Sequence, residues 1–316
     1  MKISVIESPQ KIVIRDSDLP GIGDGDVLVR LEGTGVCASN LPVWEGRDWF
    51  KYPFDPGAPG HEGYGTVAAI GPGVSGLLPG DKVAFISGHA YAEYDKAHFS
   101  EVVKLPVQVG GKPFPGEPAA CAVNVFRRSD IDENQVVLLI GAGYLGCLLI
   151  QLLKNAGAYV VVVSRRNTSL HYAKMAGADH VIAFNDFYDT LGKLRNLFPE
   201  GIPRVIEATG TQSAIDLATE ITSIRGKMII AGYHQDGMRT VNMQAWNWKG
   251  LDVINAHERD SAVYVSGLKE AIRLAGENIL QPEKYITHLI EFQDINEAFR
   301  LLRDRPENFM KAVITY

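Results

Sequence analysis

Cysteine is scarce in this chain: Cys37, Cys121 and Cys147 are the only three among 316 residues. An odd, widely spaced set makes no disulfide framework and points to a reducing compartment, the cytoplasm. A basic excess is also missing. Against 31 Lys and Arg stand 37 Asp and Glu, a formal net charge of -6, so no general attraction to nucleic acid or anionic membrane is expected. The third lack is an unbroken apolar span. Residues 134–153 carry no charge and match the length a bilayer requires, but Gly141, Gly143 and Gly146 interrupt them, and Asn134, Gln135 and Gln151 sit among them. A buried strand, a glycine turn and a buried helix account for the run better than a membrane span does. Residues 1–7 meet an acid too early for a signal peptide. No internal repeat or low-complexity linker is visible.

What is present reads as a globular protein of two domains, with 46% hydrophobic and 22% charged residues over a length too great for one ordinary core. Short strands are expected at 2–6, 11–14, 26–31, 65–70, 82–86 and 100–105, with prolines and glycines crowded between 53 and 80. From about Pro118 the rhythm changes. Strands at 135–140, 159–163, 180–184, 204–208, 227–231 and 252–255 alternate with helices at 144–155, near 170–175, near 188–198 and at 214–224. Continuous apolar strands between helices indicate a parallel sheet covered on both faces. The tail adds a helix at 262–275, a strand at 288–292, a helix at 295–303 and a strand at 311–315.

Gly141-Ala142-Gly143-Tyr144-Leu145-Gly146 follows an apolar strand and opens a helix. That context makes the glycine spacing informative for a dinucleotide site. The first glycine permits a tight turn, the second lets the backbone approach a pyrophosphate, and the third lets the helix pack on the strand. The helix N-terminus then offers N–H groups to the phosphates. The next strand ends in Ser164-Arg165-Arg166, where an NAD-specific enzyme usually has an acid. A small hydroxyl and two guanidiniums suit a ribose 2′-phosphate, so NADP is favoured over NAD.

The second cluster is Gly60-His61-Glu62-Gly63, with Cys37 upstream in Gly35-Val36-Cys37-Ala38-Ser39-Asn40 and Glu117 downstream before Pro118. Thiolate, imidazole and carboxylate are the usual zinc ligands, and a catalytic zinc keeps one position open. Taken singly, Cys37 and His61 fit ordinary buried positions; together with Glu62 and Glu117 they point to a metal.

These positions resemble the zinc-containing medium-chain dehydrogenase/reductase family, in particular its polyol dehydrogenase branch. The resemblance spans nearly the whole chain. Besides the clusters above it includes Gly80-Asp81-Lys82-Val83 and Val205-Ile206-Glu207-Ala208-Thr209-Gly210. It implies an α/β fold, a Rossmann doubly wound parallel sheet plus a β-rich GroES-like catalytic domain, with the active site between them. The expected division is 1–122 for the catalytic domain, 123–261 for the nucleotide domain and 262–316 returning to the first.

One catalytic zinc is implied, held by Cys37 and His61, with Glu117 at the remaining ligand position and Glu62 either a ligand or a carboxylate just behind the ligands. Ser39 matches a hydroxyl that relays the proton, so Ser39, His61 and Glu62 form the expected catalytic set. Gly141, Gly143, Tyr144, Leu145, Gly146, Ser164, Arg165, Arg166 and Thr209 form the expected cofactor set. The reaction implied is hydride transfer between NADP(H) and a small alcohol or carbonyl, with zinc as Lewis acid. Family habit adds a homodimer or tetramer built through the sheet edge near 252–255.

The chain also departs from the family. No cysteine lies between Val83 and Glu117, so the four-cysteine lobe of a structural zinc is absent, and residues 88–94 stand in its place, expected at the pocket mouth. Asn40 replaces an aspartate that orients the zinc-bound histidine, and no relay histidine lies near Val43. Trp44, Trp49 and Phe50 fit either a substrate cleft or surface packing. Gly232-Tyr233-His234 and His257-Glu258-Arg259 follow late strands, where a nicotinamide, a substrate or a simple helix cap are all compatible. Two other readings stay open: a zinc-free quinone or enone reductase of the same superfamily, and a non-catalytic nucleotide-binding protein.

Overall fold

The computed structural model describes residues 1–316. The chain forms two compact units, one of Met1–Ala120 with Arg259–Tyr316 and one of Cys121–Glu258.

The first unit opens with β1 (Lys2–Ser8) and β2 (Lys11–Asp16), an antiparallel pair. It continues through β3 (Asp26–Gly35), α1 (Leu41–Glu45), β4 (Gly63–Ile70), β5 (Lys82–Phe85), β6 (Tyr94–His98), β7 (Val102–Lys104) and α2 (Val107–Gly110). The division between units falls within α3 (Gly116–Ser129). Unit two holds β8 (Val136–Ile140), α4 (Tyr144–Asn155), β9 (Tyr159–Ser164), α5 (Asn167–Met175), β10 (His180–Ala183) and α6 (Phe187–Leu197). It is completed by β11 (Ile202–Glu207), α7 (Gln212–Ile221), β12 (Thr222–Ile230), α8 (Met243–Lys249) and β13 (Asp252–Asn255). The tail returns to the first unit with α9 (Ser261–Gly276), β14 (His288–Glu291), α10 (Ile295–Asp304) and β15 (Ala312–Thr315).

The sheet of the first unit runs β14-β15-β3-β4-β5-β7, with β6 also on β3. Most of its strands carry runs of buried residues, and only β6 and β14 alternate. Val27, Val29 and Leu31 of β3 pack with Val67, Val83 and Phe85, while Arg30 between them is exposed. A second core gathers Trp44, Tyr91, Phe299, Phe309 and Ile314. The pairing of β15 with β3 is antiparallel, with Val313 opposite Gly35. That register brings residues 311–313 beside residues 35–37, although the two segments lie at opposite ends of the sequence.

The sheet of the second unit runs β10-β9-β8-β11-β12-β13, parallel throughout. Counted from its own first strand, the order is the doubly wound one that reverses direction between β8 and β11. Burial on both faces is why β8 and β9 are apolar without alternation.

Several segments differ from the sequence expectation, the short helices α1 and α2 among them. β6 reads as polar because its inward residues are Asp95 and Ala97, a weak hydrophobic signal. The helix expected to 224 stops at Ile221, and β12 starts at Thr222. Arg225 at φ 55° followed by Gly226 absorbs the irregular register there. α8 was not anticipated; Asn242 starts it by accepting from the Ala245 N–H at 3.0 Å. No helix is long and apolar enough to cross a membrane.

Candidate functional site

In the first unit, the turn after β3 presents Cys37, and the residues leading into β4 present His61 and Glu62. Their donor atoms all lie within 4.8 Å of one another. The approach depends on glycine: a Cβ on Gly35 would fall 1.7 Å from Glu62 Oε2, so only a bare backbone lets the carboxylate in. His61 bonds through Nδ1 to the Pro59 carbonyl at 2.9 Å. A carbonyl only accepts, so Nδ1 carries the hydrogen and Nε2 is the ring atom left for a ligand role.

Burial alone would lower the pKa of His61. The hydrogen bond with Cys37 and the charges of Cys37, Glu117 and Glu62 more than offset that and push it up to about 10. The cluster therefore favours positive charge, and its thiol, imidazole and carboxylate are groups of the kind that could hold a metal ion.

Glu62 is wholly buried, and so is its partner. Lys311, just before β15, places Nζ 2.7 Å from Oε1 and 2.6 Å from Oε2, with side-chain exposures of 6% and 0% for Lys311 and Glu62. Nζ also donates to the Val36 carbonyl at 3.1 Å. Ser39 Oγ lies 3.2 Å from Cys37 Sγ and 3.3 Å from Asn40 Oδ1. Asn40 does not take over the orientation of His61. Its amide donates to the Tyr91 hydroxyl at 2.7 Å and to the Pro59 carbonyl at 3.3 Å, so it braces the carbonyl that orients the ring.

Of the four expected metal ligands, the cluster unites Cys37, His61 and Glu62. Glu117 lies in the first turn of α3, outside that group but close enough for its charge to act on His61. Cys121 is half-buried, while Cys147 lies inside α4 with its thiol pushed up to about 12 by burial. Trp44 is no cleft residue: it is 1% exposed and stacks on Phe299, with the Arg303 guanidinium 5.4 Å above its ring. Within 88–94, Ala90, Tyr91 and Ala92 turn into the interior instead of standing at a mouth.

In the second unit the glycine loop joins β8 to α4. Gly141 has φ 105°, and a Cβ there would meet Thr209 Cγ2 at 2.5 Å. A Cβ on Gly146 would meet the Gly141 carbonyl oxygen at 2.4 Å. Gly143, by contrast, is exposed, has nothing within 4 Å of an added Cβ, and caps α4 without a side-chain hydrogen bond. Tyr144 and Leu145 form the first turn of that helix. Ser164 ends β9; Arg165 is exposed and Arg166 sits at the N-cap of α5. Thr209 is held by Glu207, which accepts from its N–H at 2.7 Å and its hydroxyl at 2.6 Å. His257 N–H donates to Asn255 Oδ1 at 3.0 Å, a local turn cap.

Sequence reasoning missed Lys311, the Pro59 carbonyl, Tyr91 and the link between Glu207 and His234. For Lys311 a signal existed: a lone cation heading the apolar stretch 312–314. A backbone carbonyl leaves none.

Two family models match this chain: "Alcohol dehydrogenase GroES-like domain" over residues 23–116 and "Zinc-binding dehydrogenase" over residues 145–275. The starvation-sensing protein RspB of Escherichia coli (strain K12) is 26% identical over 100% of this chain and 99% of its own length. Sorbitol dehydrogenase of Rattus norvegicus is 25% identical over 93% of this chain and 90% of its own. Among solved structures, 2R,3R-butanediol dehydrogenase from Bacillus subtilis superposes with a TM-score of 0.86 at 21% identity, covering 100% of this chain and 99% of that one, a likeness of fold.

Proposed function

The chain belongs to the medium-chain dehydrogenase/reductase family, and we propose that it is a zinc-dependent oxidoreductase passing hydride between NADP(H) and an alcohol or carbonyl, with a polyol or sugar-derived alcohol as the substrate class. The Cys37–His61–Glu62 cluster carries this reading. Its donor set speaks against a zinc-free reductase, which has no use for those three groups together.

Cys37, His61 and Glu62 would hold the zinc, with Glu117 the fourth candidate. Bound there, the metal would supply Lewis-acid polarisation of the substrate oxygen. The protein's own groups do the rest. Pro59 fixes the His61 ring so that Nε2 faces the cluster. Lys311 offsets the Glu62 charge and keeps its carboxylate in place over Gly35. The Ser39 hydroxyl, between Cys37 and Asn40, is the group that carries a proton to or from the substrate oxygen.

In the second unit the open backbone at Gly143 and the start of α4 suit the pyrophosphate. Tyr144, Leu145 and Gly146 complete that cradle, and Thr209 lies against Gly141. Ser164, Arg165 and Arg166 suit the 2′-phosphate of NADP. The similarity to sorbitol dehydrogenase favours a small polar alcohol. A cytoplasmic homodimer or tetramer completes the proposal.

The test is turnover. Protein purified without chelator is assayed on a panel of polyols, sugar alcohols and their carbonyls with NADPH, NADP, NADH and NAD. Hydride transfer with at least one substrate, faster with the phosphorylated cofactor and lost in His61→Ala, is the expected result. Nucleotide binding with no turnover on the whole panel would overturn it in favour of a non-catalytic binding protein.

A further inference from the structure

The carboxyl ends of β11 and β12 hold a carboxylate and an imidazole that the reading above leaves without a role. Glu207 closes β11 and is wholly buried. Its Oε1 accepts from the Thr209 N–H, the Thr209 hydroxyl and the Gly210 N–H at 2.7, 2.6 and 2.8 Å. Its Oε2 lies 2.7 Å from His234 Nε2. Burial would raise the pKa of Glu207, but the hydrogen bonds from His234 and Thr209 hold it below the ordinary carboxylate range. A carboxylate that stays ionised accepts only, so Nε2 carries the hydrogen.

The two loops that meet here leave little room for rearrangement. A Cβ on Gly210 would sit 2.3 Å from the Tyr233 carbonyl oxygen. One on Gly232 would sit 2.3 Å from the Gly210 nitrogen and 2.5 Å from Glu207 Oε2. The imidazole is thus held from one side by a fixed carboxylate. Its other nitrogen, Nδ1, is buried and has no hydrogen-bond partner. A buried polar atom left unpaired in a native fold asks for an explanation, and a ligand is one.

Sheet order says which part of a ligand reaches it. In a doubly wound sheet a dinucleotide lies across the switch point, one mononucleotide to each half. The glycine loop after β8 and residues 164–166 after β9 belong to the adenosine half. His234, after β12, stands on the other half, beyond strands that serve the nicotinamide nucleotide.

We propose that Glu207 and His234 form a positioning pair for the nicotinamide ring, with His234 Nδ1 accepting a hydrogen bond from the carboxamide NH2 of the cofactor. This rests on the reading that the second unit binds a nicotinamide dinucleotide. In the tautomer that commits Nε2–H to Glu207, the ring's lone pair is on Nδ1, and the carboxamide is the only strong donor on the nicotinamide ring. The pair fixes the rotation of the ring, and so which face is offered to the substrate; it does not touch the reacting carbon.

The test is equilibrium binding to the full-length protein, not turnover. Three probes are titrated: NADPH, its 3-acetylpyridine analogue, which replaces the NH2 by a methyl, and 2′-phospho-ADP-ribose, which lacks the ring. Wild type is expected to prefer NADPH to the analogue by about tenfold, the worth of one buried hydrogen bond. His234→Gln keeps a polar group for Glu207 but loses Nδ1, and His234→Ala loses both. Each is expected to bind NADPH and the analogue equally, while holding 2′-phospho-ADP-ribose as wild type does. No preference in wild type, or a full preference in His234→Gln, would overturn the proposal. An equal loss for all three probes would reduce the pair to loop scaffolding and overturn it as well. If wild type binds none of them, the dinucleotide reading itself fails and takes this proposal with it.

Discussion

The two units build their candidate sites by opposite means. The first gathers side chains: a thiol, an imidazole, a carboxylate and a lysine from residues 37, 61, 62 and 311 converge through sheet pairing. The second removes side chains: within the six residues 141–146 three glycines clear a path for backbone N–H groups. One site should therefore fail when a side chain is taken away, the other when a side chain is added. The variants below press on that contrast, the largest effect first.

Lys311→Met should cost most. It leaves the Glu62 carboxylate buried beside other negative groups with no cation, a loss of about 3–5 kcal/mol. Urea unfolding is the measurement, and Lys311→Met combined with Glu62→Gln should regain much of the loss. A single variant as stable as wild type would mean that the pair contributes no more than a surface bridge.

Gly141→Ala and Gly143→Ala should separate folding from binding. The first forces a Cβ at φ 105° against Thr209 and is expected to destabilise by roughly 1–3 kcal/mol. The second meets nothing in the free protein, so its stability should stay within about 0.5 kcal/mol of wild type. Its affinity for NADPH should nonetheless fall at least about tenfold, because the added methyl stands where phosphate approaches. Equal unfolding midpoints for Gly141→Ala and Gly143→Ala would break the account of the loop.

This contrast also explains what was legible in advance. The glycine loop is local: turn, open step and helix contact lie within one strand–helix unit, so spacing alone conveys the geometry. The parallel sheet was equally plain, since burial on both faces imposes unbroken apolar runs such as 137–140 and 160–163. The candidate ligands Cys37, His61 and Glu62 could be named from residue types, but not their support. Lys311 reaches Glu62 only through the pairing of β15 with β3, a non-local fact that no periodicity carries. What orients His61 was illegible for a related reason: a backbone carbonyl, Pro59, does it, and backbone atoms have no signature in composition. Trp44 was open to a cleft reading because an aromatic beside a site looks the same whether it lines the site or packs behind it.

Arg165→Ala and Arg166→Ala should each reduce the preference for NADPH over NADH several-fold, on the order of 1 kcal/mol, with NADH affinity little changed. Binding titrations with both nucleotides check it. An unchanged ratio in the double variant would remove the charge argument for NADP.

The smallest effect concerns two buried acids, one in each unit. Asp95 has its pKa raised, chiefly by burial, against the Ser87 hydroxyl, the Lys96 N–H and His89. Glu207 is lowered, because its hydrogen bonds outweigh burial. The signs are opposite. A raised folded-state acid favours the fold only while protonated, so the Asp95 contribution is lost as pH rises through its folded value. A lowered one favours the fold above the unfolded value, here near 4.5, and loses that contribution as pH falls through its folded value. Asp95→Asn should therefore gain stability that grows with pH, and Glu207→Gln should lose stability above about pH 4.5. Unfolding midpoints between pH 4 and pH 8, about the range in which folded proteins are usually most stable, decide it. Parallel pH profiles for the two variants would contradict these assignments.

The central claim is that Cys37, His61 and Glu62 hold a zinc ion, and elemental analysis of untagged protein prepared without chelator tests it most directly. Near-stoichiometric zinc in wild type, none in His61→Ala or Cys37→Ala, and a larger loss in Glu62→Gln than in Glu117→Gln is the predicted result. Zinc retained in His61→Ala, or no zinc in wild type, would contradict it.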